Sequence, residues 1–308
     1  MMITYGPTIR RLRTDQHLPQ KAVYTGIVSR SFYAKFEKGE TNISADKLFA
    51  LLQRLNIGVN EFLYQHRGMQ PSATEKLRRQ IRDDYQRGNF KALRAFYATN
   101  RYHTLPEMRA LAVTAYALVY ITGHNSLHMS NSPIAEFQAV LQNAPDWTLE
   151  QARLIAETNF LIPLTDPLHH RFFRQIVKTL LAYRSFSDEI DNDLADAYLN
   201  EIQPQLLAGH LDTAARLVTE LQTISADSHA IDIQFVLTFC RYLVGLYTDF
   251  PVVEKQLPDL LSWIDKLNLP FSRDYHLITE VHWDRGHNHY LRRRYFQAKN
   301  NDDPQSSN

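Results

Sequence analysis

Apolar residues recur at three- and four-residue spacing along almost the whole chain, and no strictly alternating segment of useful length occurs anywhere. Only ten glycines are spread over 308 residues, too few for a turn-rich β architecture. The fold class this requires is all-α. Within residues 6–66 the pattern predicts five short helices. They are Thr8–Asp15, Gln20–Thr25, a third from a Ser29 cap to Lys38, Ala45–Leu55 behind a Ser44 cap, and Val59–His66. Glycine-, proline- and serine-rich residues 68–72 read as a linker. From Ala73 onward, breaks at Gly88-Asn89, Thr104–Pro106, Gly123–Pro133, Ala144–Asp146, Pro163–Pro167, Ser185–Asp188, Gly209, Ser225–Ser228, Phe250-Pro251 and Leu269-Pro270 punctuate the pattern. They leave roughly ten helices of about 12–25 residues each. The expected layout is therefore residues 1–67 as one domain, a linker at 68–72, residues 73–299 as a second domain, and a polar, disordered tail at 300–308.

The formal net charge of +1 conceals an asymmetry. Residues 1–70 hold ten Lys/Arg against five acids, and the remainder holds 24 against 28. A basic head on an acidic body suits an electrostatic footprint on nucleic acid, although ordinary variation in surface charge gives the same count. Cys240, the single cysteine, lies in an apolar run and excludes an internal disulfide framework. Met1–Pro7 lacks a basic and then apolar leader pattern, and charge interrupts every apolar stretch before it reaches membrane-spanning length. The expectation is a soluble, cytoplasmic protein.

The most informative segment is Leu18–Gly39. It holds a short apolar helix, a turn at Gly26-Ile27-Val28, and a helix with one apolar and one polar face. That is the physical pattern of a helix-turn-helix. Phe32 and Phe36 are one turn apart and are expected to point inward. Ser29, Arg30, Ser31, Tyr33, Ala34, Lys35 and Lys38 are then left toward a major groove, where hydroxyl and guanidinium groups read base edges and lysines meet phosphates. Gln20 and Lys21 open the preceding helix.

Residues Ile9–Phe62 resemble the repressor/Cro-type helix-turn-helix family. Ile9-Arg10 with Leu12-Arg13 matches its first helix, and Gln20 stands where that family often places a Gln against the DNA backbone. Glu37-Lys38-Gly39 matches the Glu-x-Gly that ends its recognition helix. The resemblance implies an ion pair of Glu37 with an arginine of the first helix, and Arg13 is the candidate. More narrowly, Ser31–Leu48, with its Lys-Phe-Glu-Lys-Gly-Glu and Ile-Ser-Ala-Asp-Lys-Leu phrases, is similar to the Rgg/GadR/MutR regulators of Gram-positive bacteria. That similarity implies a homodimer acting on promoter DNA at an inverted repeat. It also implies a C-terminal helical-repeat domain that binds a short, mostly apolar secreted peptide, as in quorum sensing.

Two segments of the body look like the middle of a tetratricopeptide unit. Gly209-His210-Leu211-Asp212-Thr213-Ala214 has a turning glycine, a packing leucine and a small residue at the close approach, and Gly88–Tyr97 is a looser version. An irregular helical bundle fits the same pattern. A groove for an extended peptide needs side chains that satisfy its backbone, which makes Arg153 and Asn159, placed on one helix, with Tyr183, Arg184, Tyr198, Arg241 and Tyr242 on later ones, the candidate contacts. Each is also an ordinary surface or packing residue type. The His282, His287 and His289 group and the His169-His170 pair lack zinc-ligand spacing and read as core or solvated histidines. Asp188, Glu189, Asp191, Asp193 and Asp196 crowd a helix start, where the macrodipole favours them. No phosphate loop or nucleophile elbow occurs, so no catalytic residue, cofactor or metal is expected. A peptide-controlled regulator, a ligand-independent repressor and a protein-binding helical scaffold all remain open at this level.

Overall fold

A computed structural model of the chain describes residues 4–124, 139, 141–228, 230–267 and 272–301. Among the described residues there are fifteen α-helices, one short 3₁₀ turn and no strand. The chain divides into two compact units, Met1–Gly88 and Asn89–Asn308.

The first unit contains α1 (Gly6–Asp15), α2 (Gln20–Tyr24), α3 (Arg30–Glu37), α4 (Ala45–Arg54), α5 (Val59–His66) and α6 (Ala73–Gln86). Its core joins Ile9 and Leu12 of α1, Val23 of α2, Tyr33 and Phe36 of α3, Leu51 of α4 and Phe62 of α5, each at most 5 % exposed. Gly39 ends α3 in the left-handed region (φ 78°), where a side chain would be strained, and so turns the chain toward α4. Two polar ties fasten α1 to α5: Thr8 Oγ1 lies 2.8 Å from His66 Nδ1, and Arg11 donates to the Gln65 carbonyl at 3.2 Å. After α5 the chain turns through Gly68 and Met69, both at positive φ. It then enters α6 through a reciprocal Ser72–Glu75 capping box. The expected linker at 68–72 is this turn, and the compact division of the chain falls after α6.

The second unit holds α7 (Phe90–Asn100), α8 (Pro106–His124), α9 (Leu149–Ala156) and a 3₁₀ turn (Asn159–Leu161). It continues with α10 (Pro167–Ala182), α11 (Ile190–Leu207), α12 (Leu211–Ile224), α13 (Ile231–Thr248), α14 (Phe250–Lys266) and α15 (Ser272–Asn301). From α9 onward each helix packs on its successor, and α9, α11, α13 and α15 also pack on one another in sequence. Two rows of helices result, as in a stack of helical hairpins. Helix α11 touches α9, α10, α12 and α13, so both of its sides are buried. The α11–α12 hairpin has the geometry read from its sequence: Gly209 turns at φ 80°, Leu211 packs on the core, and Ala214 is fully buried.

Two expectations are corrected. Asn159 is not on a helix with Arg153, because α9 ends at Ala156 and Asn159 opens the 3₁₀ turn. The last helix includes residues 300 and 301, where a disordered tail was expected. The remainder of that tail, most of the break at Gly123–Pro133, and the break at Leu269-Pro270 lie outside the described residues.

A buried polar cluster crosses the second unit. His169 of α10 is 1 % exposed and Glu201 of α11 is 3 % exposed. The imidazole Nδ1 lies 2.8 Å from the Ile162 carbonyl and Nε2 lies 2.8 Å from Glu201 Oε2. Both partners are acceptors, so the ring satisfies them only by carrying a proton on each nitrogen. Gln205 Nε2 donates to the other carboxylate oxygen at 2.8 Å, and His210 Nδ1 lies 3.0 Å from Gln205 Oε1. Burial alone would lower the His169 pKa, but the Glu201 carboxylate reverses this and raises it above the ordinary imidazole value. The imidazolium therefore contributes stability that is complete below about pH 6.5 and is lost as pH rises through the raised pKa. Thermal unfolding followed between about pH 6 and 9 should show the melting temperature falling with rising pH. In His169→Gln that slope should flatten and the low-pH stability should drop.

Candidate nucleic-acid interface

Helix α3 is held at its start by a cap from its own sequence and at its end by groups from α1 and α2. At its start the Ser29 hydroxyl accepts the Phe32 amide at 3.3 Å, satisfying one of the free N–H groups of the first turn. At its end Glu37, 2 % exposed, receives a two-pronged bond from Arg13 of α1. Arg13 Nε lies 2.6 Å from Oε1 and a terminal guanidinium nitrogen lies 3.1 Å from Oε2. The remaining arm of Arg13 donates to the Leu18 carbonyl at 2.7 Å. Gln20 Nε2 donates to Glu37 Oε2 at 2.7 Å. One carboxylate thus ties α1, the α1–α2 turn, α2 and α3 together. Burial would raise the Glu37 pKa, but the bonds from Arg13 and Gln20 outweigh it, so the carboxyl titrates below its usual range.

The clasp sets the rotation of α3, and this corrects two readings. Tyr33, expected on the DNA side, is fully buried. At about 100° per residue it stands roughly 40° from Glu37, whereas Phe32 stands roughly 140° away. Once Glu37 turns inward to meet Arg13, Tyr33 and Phe36 follow it into the core, and Phe32 is left half-buried at the edge. Burial, followed by the nearby Glu37 carboxylate, pushes the Tyr33 phenol well above its ordinary pKa. Phe32 is thus not the inward partner of Phe36, and Gln20, expected at the DNA backbone, is half-buried and gives one amide hydrogen to Glu37.

The remaining expected residues lie on the outside. Lys21, Ser29, Arg30, Ser31, Lys35 and Lys38 are all exposed, and Ala34 between them is half-buried. Lys38 reaches Glu40 only loosely, at 3.8 Å with both side chains more than half exposed. A polar, cationic outer face on a short capped helix, with a preceding helix tied to its end through Gln20, is the arrangement of a helix that enters a major groove. The α1 backbone runs against α3 at Gly6, where an added Cβ would stand 1.6 Å from the Phe36 carbonyl oxygen.

In the second unit the structure does not gather the seven candidate peptide contacts. Arg153 is held by α11 and its neighbourhood: Nε lies 2.8 Å from Asp193, and Glu150 and Glu189 lie at 3.4 and 3.8 Å. Arg184 makes a paired bond to Asp191 at 2.8 and 3.3 Å. Asp191 and Asp193 at the head of α11 therefore serve these two arginines. Asn159 is 4 % exposed, and its amide nitrogen faces the His169 carbonyl and Glu201. Tyr198 is 2 % exposed, with its hydroxyl 3.4 Å from Glu220. Of the seven, Arg153, Tyr183, Arg184 and Tyr242 are half-buried and Arg241 is exposed. The sequence did not announce the His169–Glu201–Gln205–His210 chain, because His169 stands 32 residues before Glu201 and only the buried packing of α10 on α11 brings it to the other three. Among the described residues no group of three His, Cys, Asp or Glu is placed to hold a metal ion. No described helix is long and apolar enough to cross a membrane.

Residues 9–62 match the Helix-turn-helix family HTH_3. No curated protein matches the chain. Solved structures match over nearly its full length. A candidate transcriptional regulator from Listeria monocytogenes EGD-e is 18 % identical with a TM-score of 0.73, covering 92 % of this chain and 98 % of that one. The Streptococcus dysgalactiae SHP pheromone receptor Rgg2 is 17 % identical with a TM-score of 0.68, covering 91 % and 99 %. A bacterial peptide pheromone/receptor complex is 13 % identical with a TM-score of 0.61, covering 91 % and 99 %. The chain shares the fold of these solved structures. Its first unit carries that fold's helix-turn-helix, and its second unit carries the stacked helices.

Two substitutions test the brace. Arg13→Ala leaves the buried Glu37 carboxylate with only Gln20, and should cost about 3 kcal/mol of first-unit stability in urea unfolding followed by circular dichroism. Gly6→Ala should destabilise the same unit by about 1–3 kcal/mol, because α1 must move off the α3 backbone. Exposed Lys21→Ala should stay within about 0.5 kcal/mol of wild type.

Proposed function

We propose that this chain is a DNA-binding transcriptional regulator that works as a homodimer on an inverted repeat and answers to a short secreted peptide. The observation that carries the DNA half is the Arg13–Glu37–Gln20 clasp. It rotates α3 so that Arg30, Ser31 and Lys35 face outward while Tyr33 and Phe36 fill the core. One helix of eight residues spans only a half-site, so useful specificity calls for two copies whose helices reach half-sites about 34 Å apart. Support for the peptide half comes from the fold it shares with proteins named as a pheromone receptor and as a peptide pheromone/receptor complex. A peptide would act by binding one arrangement of the dimer more tightly than another. Arg241, Tyr242 and Tyr183 are the accessible candidates for its contacts. Arg153 and Arg184 serve the architecture through Asp193 and Asp191.

The DNA reading is tested by titrating the full chain onto its own promoter at several salt concentrations. Arg30→Ala should cost about 1–3 kcal/mol and relax preference at one base pair. Lys35→Ala should weaken binding to all duplexes alike and reduce the salt slope by about one. Affinity unchanged in both variants would remove α3 from the interface. For the peptide reading, conditioned medium of the producing strain should alter promoter binding. The double variant Arg241→Ala/Tyr242→Ala should need on the order of tenfold more of it, a difference of about 1.4 kcal/mol. A wild-type chain indifferent to the medium would remove the peptide from the reading.

A further inference from the structure

The last helix ends in a segment with no tertiary support of its own. From Leu291 to Phe296 all six residues are exposed, so two turns of α15 stand clear of the stack that holds its first half. Leu291, Tyr295 and Phe296 are 50 %, 66 % and 60 % exposed. Arg292, Arg293 and Arg294 interleave with them. Arg294 lies over the Tyr290 ring at 5.9 Å, and the Tyr295 and Phe296 rings meet edge to face at 5.8 Å. A helix end is marginal in water unless packing holds it, and three large apolar side chains on two turns are more than solvation favours.

Charge indicates what covers it. Residues 285–301 contain five Lys/Arg and no acid, whereas residues 89–284 contain 23 acids against 14 Lys/Arg. A basic, aromatic projection on an acidic body complements a second copy of that same body and is repelled by a second copy of itself. We infer that residues 291–296 of α15 dock on the acidic helical unit of a second copy of this chain, the contact being made twice about a two-fold axis. The two-fold arrangement repeats the contact without opening a chain of copies. Leu291, Tyr295 and Phe296 supply the buried centre, and both copies together cover on the order of 1,000 Å², the lower bound for a stable interface. The arginines select the acidic surface and give the association its salt dependence. This inference rests on the homodimer in the proposed function and assigns the face that makes it.

The test is sedimentation of the full chain over a range of concentration and salt. It compares wild type with Leu291→Ala/Tyr295→Ala/Phe296→Ala and with Arg292→Glu/Arg293→Glu/Arg294→Glu. The substituted positions are exposed and all the replacements favour helix, so circular dichroism should be unchanged. The dimer dissociation constant should rise at least tenfold in each variant. A photoreactive benzophenone amino acid in place of Tyr295 should cross-link into residues 89–284 of the other copy, as read by mass spectrometry. A wild-type dimer that both variants match overturns the face and leaves the dimer standing. Variants that stay dimeric but lose duplex affinity also overturn it, and assign the arginines to nucleic acid instead. A wild-type chain that stays monomeric at every concentration overturns the homodimer itself, and this inference with it.

Discussion

A single buried carboxylate organises the N-terminal unit. Glu37 takes bonds from Arg13 and Gln20, and Arg13 extends the connection to the Leu18 carbonyl, so α1, α2, α3 and one turn are mutually positioned by groups that cannot be removed singly. Such a pair adds little net stability over an apolar replacement of the same shape, because both charges had to leave water. Its contribution is orientation. An apolar contact tolerates rotation of one helix against another, whereas a two-pronged guanidinium–carboxylate bond does not. The direction in which α3 points is therefore set by electrostatic geometry and filled in by Tyr33 and Phe36.

The second unit solves its own burial problem by repetition. Each helix from α9 onward hides one stripe on its successor, and α9, α11, α13 and α15 hide another on the next member of their own row, which makes α11 an element buried on both sides. Polar groups inside such a stack must find partners there, and His169, Glu201, Gln205 and His210 do so in series. The arginines that sequence reasoning assigned to a ligand are absorbed by the same logic. Arg153 and Arg184 lie opposite the acidic head of α11 and neutralise it.

Much of this was legible in the sequence where the cause was local. The helix boundaries of the first unit, the Ser29 cap, the Gly39 stop and the Gly209 hairpin follow from neighbours within a few residues, and the helices appear within one or two positions of their expected ends. What was not legible depended on rotation about a helix axis or on partners distant in order. Phe32 and Phe36 form as good an apolar pair as Tyr33 and Phe36, and only the inward turn of Glu37 decides between them. In the same way, nothing near Tyr198 announces that it faces a core built from α12 and α13, or that Asn159 lies beyond the end of α9.

The close approach at Gly6 has a consequence for how such a protein can change. Because α1 meets α3 backbone to backbone, and because the inner face of α3 is spoken for by Tyr33, Phe36 and Glu37, the bracing of this helix lies on the side away from the exposed residues at positions 30, 31 and 35. On the proposed function, folding and recognition are thus written on separate sides of the same eight residues. A lineage of such regulators could rewrite its operator by exchanging outward side chains while the scaffold stays as it is, so divergence in target sequence need not pass through an unstable intermediate.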